Sequence, residues 1–217
     1  VAVIVPDRWH EQPYYLKLVD AIEDVADSRG YNIIIKRRKY LNTVFDLVTQ
    51  KQVDGVIVRN IEETEAELSL YRKMDRMGLP FVLIGQPVAS YPFIKVDNVG
   101  GARAVAEYLV EQDFRRILFI KGPENHIDSM DRLAGLRLGL TEKGFDLDCL
   151  FVSGGDYSTA SGYAAAEKFF AGNSADAVFA ANDRMALGVL LYCREKGIRV
   201  PEDLGIAGFD DNAFAEY

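Results

Sequence analysis

The stretch Phe81 to Asp97, FVLIGQPVASYPFIKVD, holds two short apolar runs, Phe81–Ile84 and Phe93–Val96, with no helical stretch between them. Runs of the same kind recur at Val1–Val5, Tyr31–Ile35, Gly55–Val58, Ile117–Ile120, Leu150–Val152, Ala177–Ala180 and Leu204–Ala207, most of them separated by segments long enough for a helix. Each run is too short to be a helix and rich in the residues of a strand buried on both faces. The segments between them carry a helical period, as in Leu16, Val19, Ile22, Val25 and Ala26, closed by Gly30, or Val99, Ala102, Val105, Ala106 and Leu109. Such alternation predicts a doubly wound α/β chain with parallel sheets covered by helices on both faces. Nine runs are many for one such sheet. The Tyr91–Asp97 segment, which interrupts this rhythm, is therefore read as a crossover between two Rossmann-like lobes, residues 1–96 and 97–217.

With 217 residues, 49% of them hydrophobic, the chain can bury a substantial core. Its formal net charge of -8 argues against direct contact with nucleic acid, which needs a basic face to displace counterions. Cys149 and Cys193, the two cysteines, stand far apart in no metal-binding pattern, so neither a disulfide framework nor a metal site is expected, and a reducing, cytoplasmic setting is the simpler reading. No run has the length of a membrane span and no signal peptide opens the chain. The sequence starts inside an apolar run and stops after an acidic turn, which reads as a fragment of a longer protein.

Doubly wound sheets bind ligands beyond the carboxyl ends of their strands. The residues that follow the runs are therefore the informative ones: Trp9 to Tyr15, Gly85–Gln86, Asp97, Pro123 to Arg132, Gly155 to Tyr157, Asn182–Asp183 and Asp210–Asp211. Aromatic faces stack on rings, while Asp, Asn and Arg bind hydroxyls. Each also has an ordinary structural reading. Asp210 serves equally as helix cap or cleft anchor, and Asp211 reads as a cap. In AANDRMALG, Asp183 is the expected helix cap and Asn182 the freer side chain. Arg132, one turn into a helix, is expected in solvent on general grounds. Tyr14 and Tyr15 cannot share one helix face, so one at most is core. Tyr157 suits packing or stacking. The basic run Lys36–Lys39 reads as a solvated strand end. Nucleophile elbows, Walker loops, GxGxxG and HExxH are all absent, which favours a binder over a catalyst and implies no cofactor.

The segment AVFAANDRMALGVLLYCREKGIRVPEDLGIAGFDDNAFAEY, together with VDGVIV, PFVLIG, KVDNVGGARAVAEYLVEQDFRRILFIKGP and RLAGLRLGL, resembles the ligand-sensing domain of lactose-repressor-type (LacI/GalR) transcription regulators. The likeness runs over essentially the whole chain. It implies a type I periplasmic-binding-protein-like fold, with two lobes closing on a small effector, a sugar or a purine. It also implies a homodimer, and operator DNA read by an amino-terminal helix-turn-helix that this sequence lacks. By the same resemblance Tyr14 and Tyr15 pack the effector from the first lobe and Arg132 forks onto it. Asp210 anchors polar groups, Tyr157 stacks, Asn182 binds hydroxyls, and His126 and Asp128 sit on a selectivity loop. Gly85 departs from the pattern, standing where several sugar-binding members have a carboxylate. Periplasmic sugar-binding proteins of transporters share the fold and are the rival reading; a sugar hydrolase on a similar sheet is a more distant one.

Overall fold

The computed structural model describes residues 1–60, 64–213 and 215. The chain forms two compact units, Val1–Val96 and Asp97–Tyr217. In the first, strands β1 (Ala2–Val5), β2 (Ile34–Arg37), β3 (Val56–Asn60), β4 (Phe81–Gly85) and β5 (Phe93–Ile94) make a sheet of order β2-β1-β3-β4-β5, and every pairing is parallel. Helices α1 (Pro13–Ser28), α2 (Leu41–Thr49) and α3 (Glu65–Arg76) form its crossovers. All four residues of β1 are at most 1% exposed, as expected of a parallel strand covered on both faces. Ala2 and Ile4 join a core with Val58, Tyr71, Met74 and Leu83. Val3 and Val5 face the opposite way, toward Val19 of α1 and the ring of Trp9.

The second strand lies further along than its apolar run predicted. Ile34 N–H donates to the carbonyl of Val1, and the ladder with β1 starts at Ala2 opposite Ile34. Lys36 and Arg37 therefore belong to the strand. As an edge strand it alternates, Ile34 and Lys36 half-buried, Ile35 and Arg37 exposed. Arg38 leaves the solvated run altogether and donates at 2.8 Å to Glu67, a carboxylate only 1% exposed that also closes the capping box of α3 with Thr64. Gly85 ends β4 with φ of +120°, a conformation at ease only for glycine, so backbone geometry accounts for the missing carboxylate there.

The second unit repeats the scheme with β6 (Ile117–Lys121), β7 (Leu150–Gly154), β8 (Ala177–Ala180) and β9 (Gly205–Ala207), ordered β7-β6-β8-β9 and again parallel throughout. Its helices are α4 (Asn98–Glu111), α5 (Ile127–Glu142), α6 (Thr159–Phe170) and α7 (Asp183–Lys196). Phe119 and Phe179, both fully buried, meet at 5.2 Å across β6 and β8. Burying a side chain of this size contributes about 1.5–3 kcal/mol. Small residues let the helices approach: a Cβ on Gly135 of α5 would lie 2.2 Å from the Val99 carbonyl oxygen of α4, and one on Gly162 of α6 would lie 2.1 Å from that of Met185 in α7. In both sheets the strand order reverses, at β1/β3 and at β6/β8, and such a switch point opens a crevice beyond the strand ends.

Candidate functional site

At the β6/β8 switch point of the second unit, polar side chains converge on Arg132. This residue is not in solvent; it is 7% exposed. Its Nε donates to Asn98 Oδ1 at 2.8 Å, Nη1 donates to the Ala181 carbonyl just past β8, and Nη2 lies 3.3 Å from Asp210 Oδ1. The guanidinium also lies 3.8 Å from the centroid of the Phe209 ring, a favourable cation–π distance. Asn98, itself 1% exposed, donates from Nδ2 to Asp128 Oδ1 at 3.1 Å. The result is a relay Asp128–Asn98–Arg132–Asp210 in which a planar, permanently charged fork has its orientation set before any ligand arrives.

Asp210 comes from the loop after β9. Its backbone is exposed while its side chain is only 20% accessible, so the carboxylate points inward from a surface turn. Burial pushes its pKa up to about 6 against the opposing pull of Arg132, and the nearby carboxylates of Asp183 and Asp128 push the same way as burial. Asp210 and Asp211 have φ of +102° and +50°, and Tyr157 has +68°. Left-handed backbone at non-glycine residues costs about 1–3 kcal/mol each and gathers at functional sites. No helix follows β9 among the described residues, so the expected cap role of Asp211 is not found.

The Asn182–Asp183 pair reverses expectation. Asn182, extended at φ -152° and ψ 166°, is the cap of α7, its Oδ1 accepting from Met185 N–H at 2.9 Å. Its Nδ2 donates to the Tyr157 carbonyl at 3.2 Å, so the amide braces the Tyr157 loop. Asp183 is already helical; its carboxylate accepts from the Asn212 amide at 2.8 Å, and burial raises its pKa. A loop that returns 29 residues later, not the helix end, claims the aspartate.

Tyr157 lies flat against Gly122, where a Cβ would come within 2.3 Å of its ring, and meets His126 edge-on at 5.2 Å. Its hydroxyl is buried close to Ser129, whose oxygen also accepts from the Gly122 amide at 2.8 Å. Burial raises this phenol to about 12. The phenol is therefore neutral. His126 Nδ1 stands 3.9 Å from Asp128 Oδ2. Of the eight residues singled out from the sequence, the second unit gathers six: His126, Asp128, Arg132, Tyr157, Asn182 and Asp210.

Tyr14 and Tyr15 belong to the first unit. They open α1 with rings at 5.1 Å and 74°, Tyr15 being 4% exposed and Tyr14 half-buried, so one of the pair is core. Arg59, at the end of β3, sets its guanidinium 5.8 and 5.9 Å from the two rings and donates to the Ile84 carbonyl at 3.0 Å. Sequence reasoning missed Arg59, Asn98 and Phe209. An arginine ending the apolar run VDGVIV was a readable signal for the first.

The profile of the periplasmic binding protein-like domain matches residues 106–217. The regulator CelR of Thermobifida fusca is 30% identical over the whole chain, and a solved CelR–cellobiose complex superposes with a TM-score of 0.82 at 30% identity, covering all of this chain and 68% of that one. The chain belongs to the LacI family. DegA of Bacillus subtilis, another regulator, is also 30% identical over the whole chain. A LacI-family sugar-binding regulator from Escherichia coli, solved with phosphate, shares the fold at a TM-score of 0.83 and 21% identity, with coverage of 100% of this chain and 80% of that one. This LacI-family chain spans 66% of the length of CelR and 65% of that of DegA. Among its described residues no helix is long and apolar enough to cross a membrane.

Proposed function

We propose that this chain is the effector-sensing part of a transcription regulator, binding a small polyhydroxylated molecule of the sugar class at the Arg132–Asp210 site. The relay Asp128–Asn98–Arg132–Asp210 carries the proposal. Arg132 donates to a ligand oxygen while Asp210 accepts from a ligand hydroxyl, and the Tyr157 ring is offered for stacking. Three carboxylates, Asp128, Asp183 and Asp210, against one arginine favour a neutral polyol over an anion. By the family resemblance Tyr14 and Tyr15 of the first unit are the ring pair that packs an effector, and His126 and Asp128 tune the choice of ligand. Asn182 acts at one remove, holding the Tyr157 loop. The cellobiose in the solved CelR complex supports the sugar class.

Binding does chemical work only by favouring one conformation over another. The ligand stabilises one arrangement of the lobes in a homodimer and so shifts the operator affinity of a helix-turn-helix outside this sequence. The chain is a cytoplasmic binder with no catalytic role and no cofactor. A thermal-shift screen of monosaccharides, disaccharides, polyols, sugar phosphates and purine bases tests the reading, since a ligand of the native state raises the melting temperature by mass action. A shift with one neutral sugar or polyol that vanishes in Asp210→Asn is expected. Shifts confined to sugar phosphates or to purines contradict the ligand class, and a shift that survives Asp210→Asn contradicts the site.

A further inference from the structure

The first unit carries an open groove of about 430 Å³ lined by Trp9, His10, Ile35, Lys36, Arg37 and Tyr40. Its volume falls within the roughly 300–1,000 Å³ of small-molecule sites. It lies along β2, the outer strand of the sheet, rather than at the β1/β3 switch point, and neither tyrosine of α1 lines it. Two features set its chemistry. The first is charge: Lys36 and Arg37 make no ion pair among the described residues, in a chain whose formal net charge is -8. Asp7 accepts from the Lys39 amide at 3.3 Å, and Glu11 accepts from Arg8 Nε at 2.9 Å with an oxygen 3.9 Å from His10 Nε2; no carboxylate lines the groove itself. The second is ring surface. Trp9 is anchored on the β1 and α1 core while still lining the groove, and Tyr40, 42% exposed, has the Arg37 guanidinium 5.3 Å from its centroid.

We infer that this groove is a second ligand site, separate from the Arg132–Asp210 site, for a small molecule that joins a planar ring to a phosphate, the nucleotide class. Trp9 and Tyr40 offer stacking faces worth about 1–3 kcal/mol per base. Lys36 and Arg37 supply charge-assisted donors to phosphate, and His10 adds a ring nitrogen at the rim.

Trp9 is the single tryptophan of the chain, so red-edge fluorescence reports on the surroundings of this one ring. The 217-residue chain is titrated with AMP and ATP, excited at the red edge of tryptophan absorption to avoid the nucleotide, with adenosine and ribose 5-phosphate in parallel. Saturable quenching by the nucleotides is expected, with adenosine and ribose 5-phosphate each weaker by roughly tenfold. Arg37→Glu and Lys36→Glu should each weaken nucleotide binding by roughly tenfold with the melting temperature held, both side chains standing at the edge of the sheet. Tyr40→Leu should weaken adenosine and AMP alike. Asp210→Asn should leave the quenching intact, which separates this site from the sugar site. No quenching, quenching equal for adenosine and AMP, quenching that survives both charge reversals, or its loss in Asp210→Asn would each overturn the inference.

Discussion

Arg59 and Arg132 solve one problem twice. Each is buried, 6% and 7% exposed, and each donates to a backbone carbonyl at or just past the carboxyl end of a strand, that of Ile84 for Arg59 and of Ala181 for Arg132. Each also lies against aromatic rings, the Tyr14–Tyr15 pair in the first unit and Phe209 in the second. They differ in what surrounds them. Arg132 is threaded into a line of carboxylates and an amide that sets its orientation, whereas the rings beside Arg59 make an apolar surface with a charge behind it. Two parallel sheets thus set a buried arginine in different company, carboxylates and an amide in one unit and tyrosine rings in the other.

Arg132→Met should break this contrast most severely. It leaves Asn98, the Ala181 carbonyl and Asp210 without their donor, and removing one partner of a buried ion pair costs about 3–5 kcal/mol, measurable by denaturant unfolding. Arg59→Met removes a carbonyl bond and ring contacts, so a smaller loss of about 1.5–3 kcal/mol is expected in the same assay. Asp210→Ala should cost about 2–4 kcal/mol of effector binding by calorimetry, because the ligand donors it met are left unpaired.

Asp210 also gives a pH signature whose sign is fixed. Its folded pKa of about 6 lies above the ordinary aspartate value, so the folded state holds its proton more tightly. Stability falls as pH rises from about 4 to about 6 and levels off above that. Asp210→Asn should flatten this fall in melting temperature; Asp183, also raised by burial, keeps a residual slope of the same sign. Effector affinity moves oppositely, increasing through pH 6 as the carboxylate ionises. The smallest effect belongs to Asn182→Ala, which loses the α7 cap at about 1 kcal/mol with no pH dependence.

How much of this was legible in the sequence follows from how local each interaction is. Among the described residues each of the nine apolar runs overlaps a strand; β1, β6 and β8, buried on both faces, need little beyond their own composition, whereas β2 and β5 stand at sheet edges with exposed residues. Tyr157, Arg132 and Asp210 stood out by following strands or opening helices. Asn98 did not, because its role depends on Arg132, 34 residues away, and the Ala181 carbonyl is 49 residues away. Nor could local pattern decide between Asn182 and Asp183 as cap, since the amide that claims Asp183 arrives from Asn212. The left-handed turn that aims Asp210 at Arg132 has no glycine to announce it.

Whether Arg132 and Asp210 together grip a neutral polyhydroxylated effector is decided by calorimetric titration of the thermal-shift hit into the chain and into Asp210→Asn at pH 5 and pH 7. Tighter binding at pH 7 is expected for the native chain, with both the affinity and its pH dependence lost in the variant. Equal affinity in chain and variant at both pH values would contradict it.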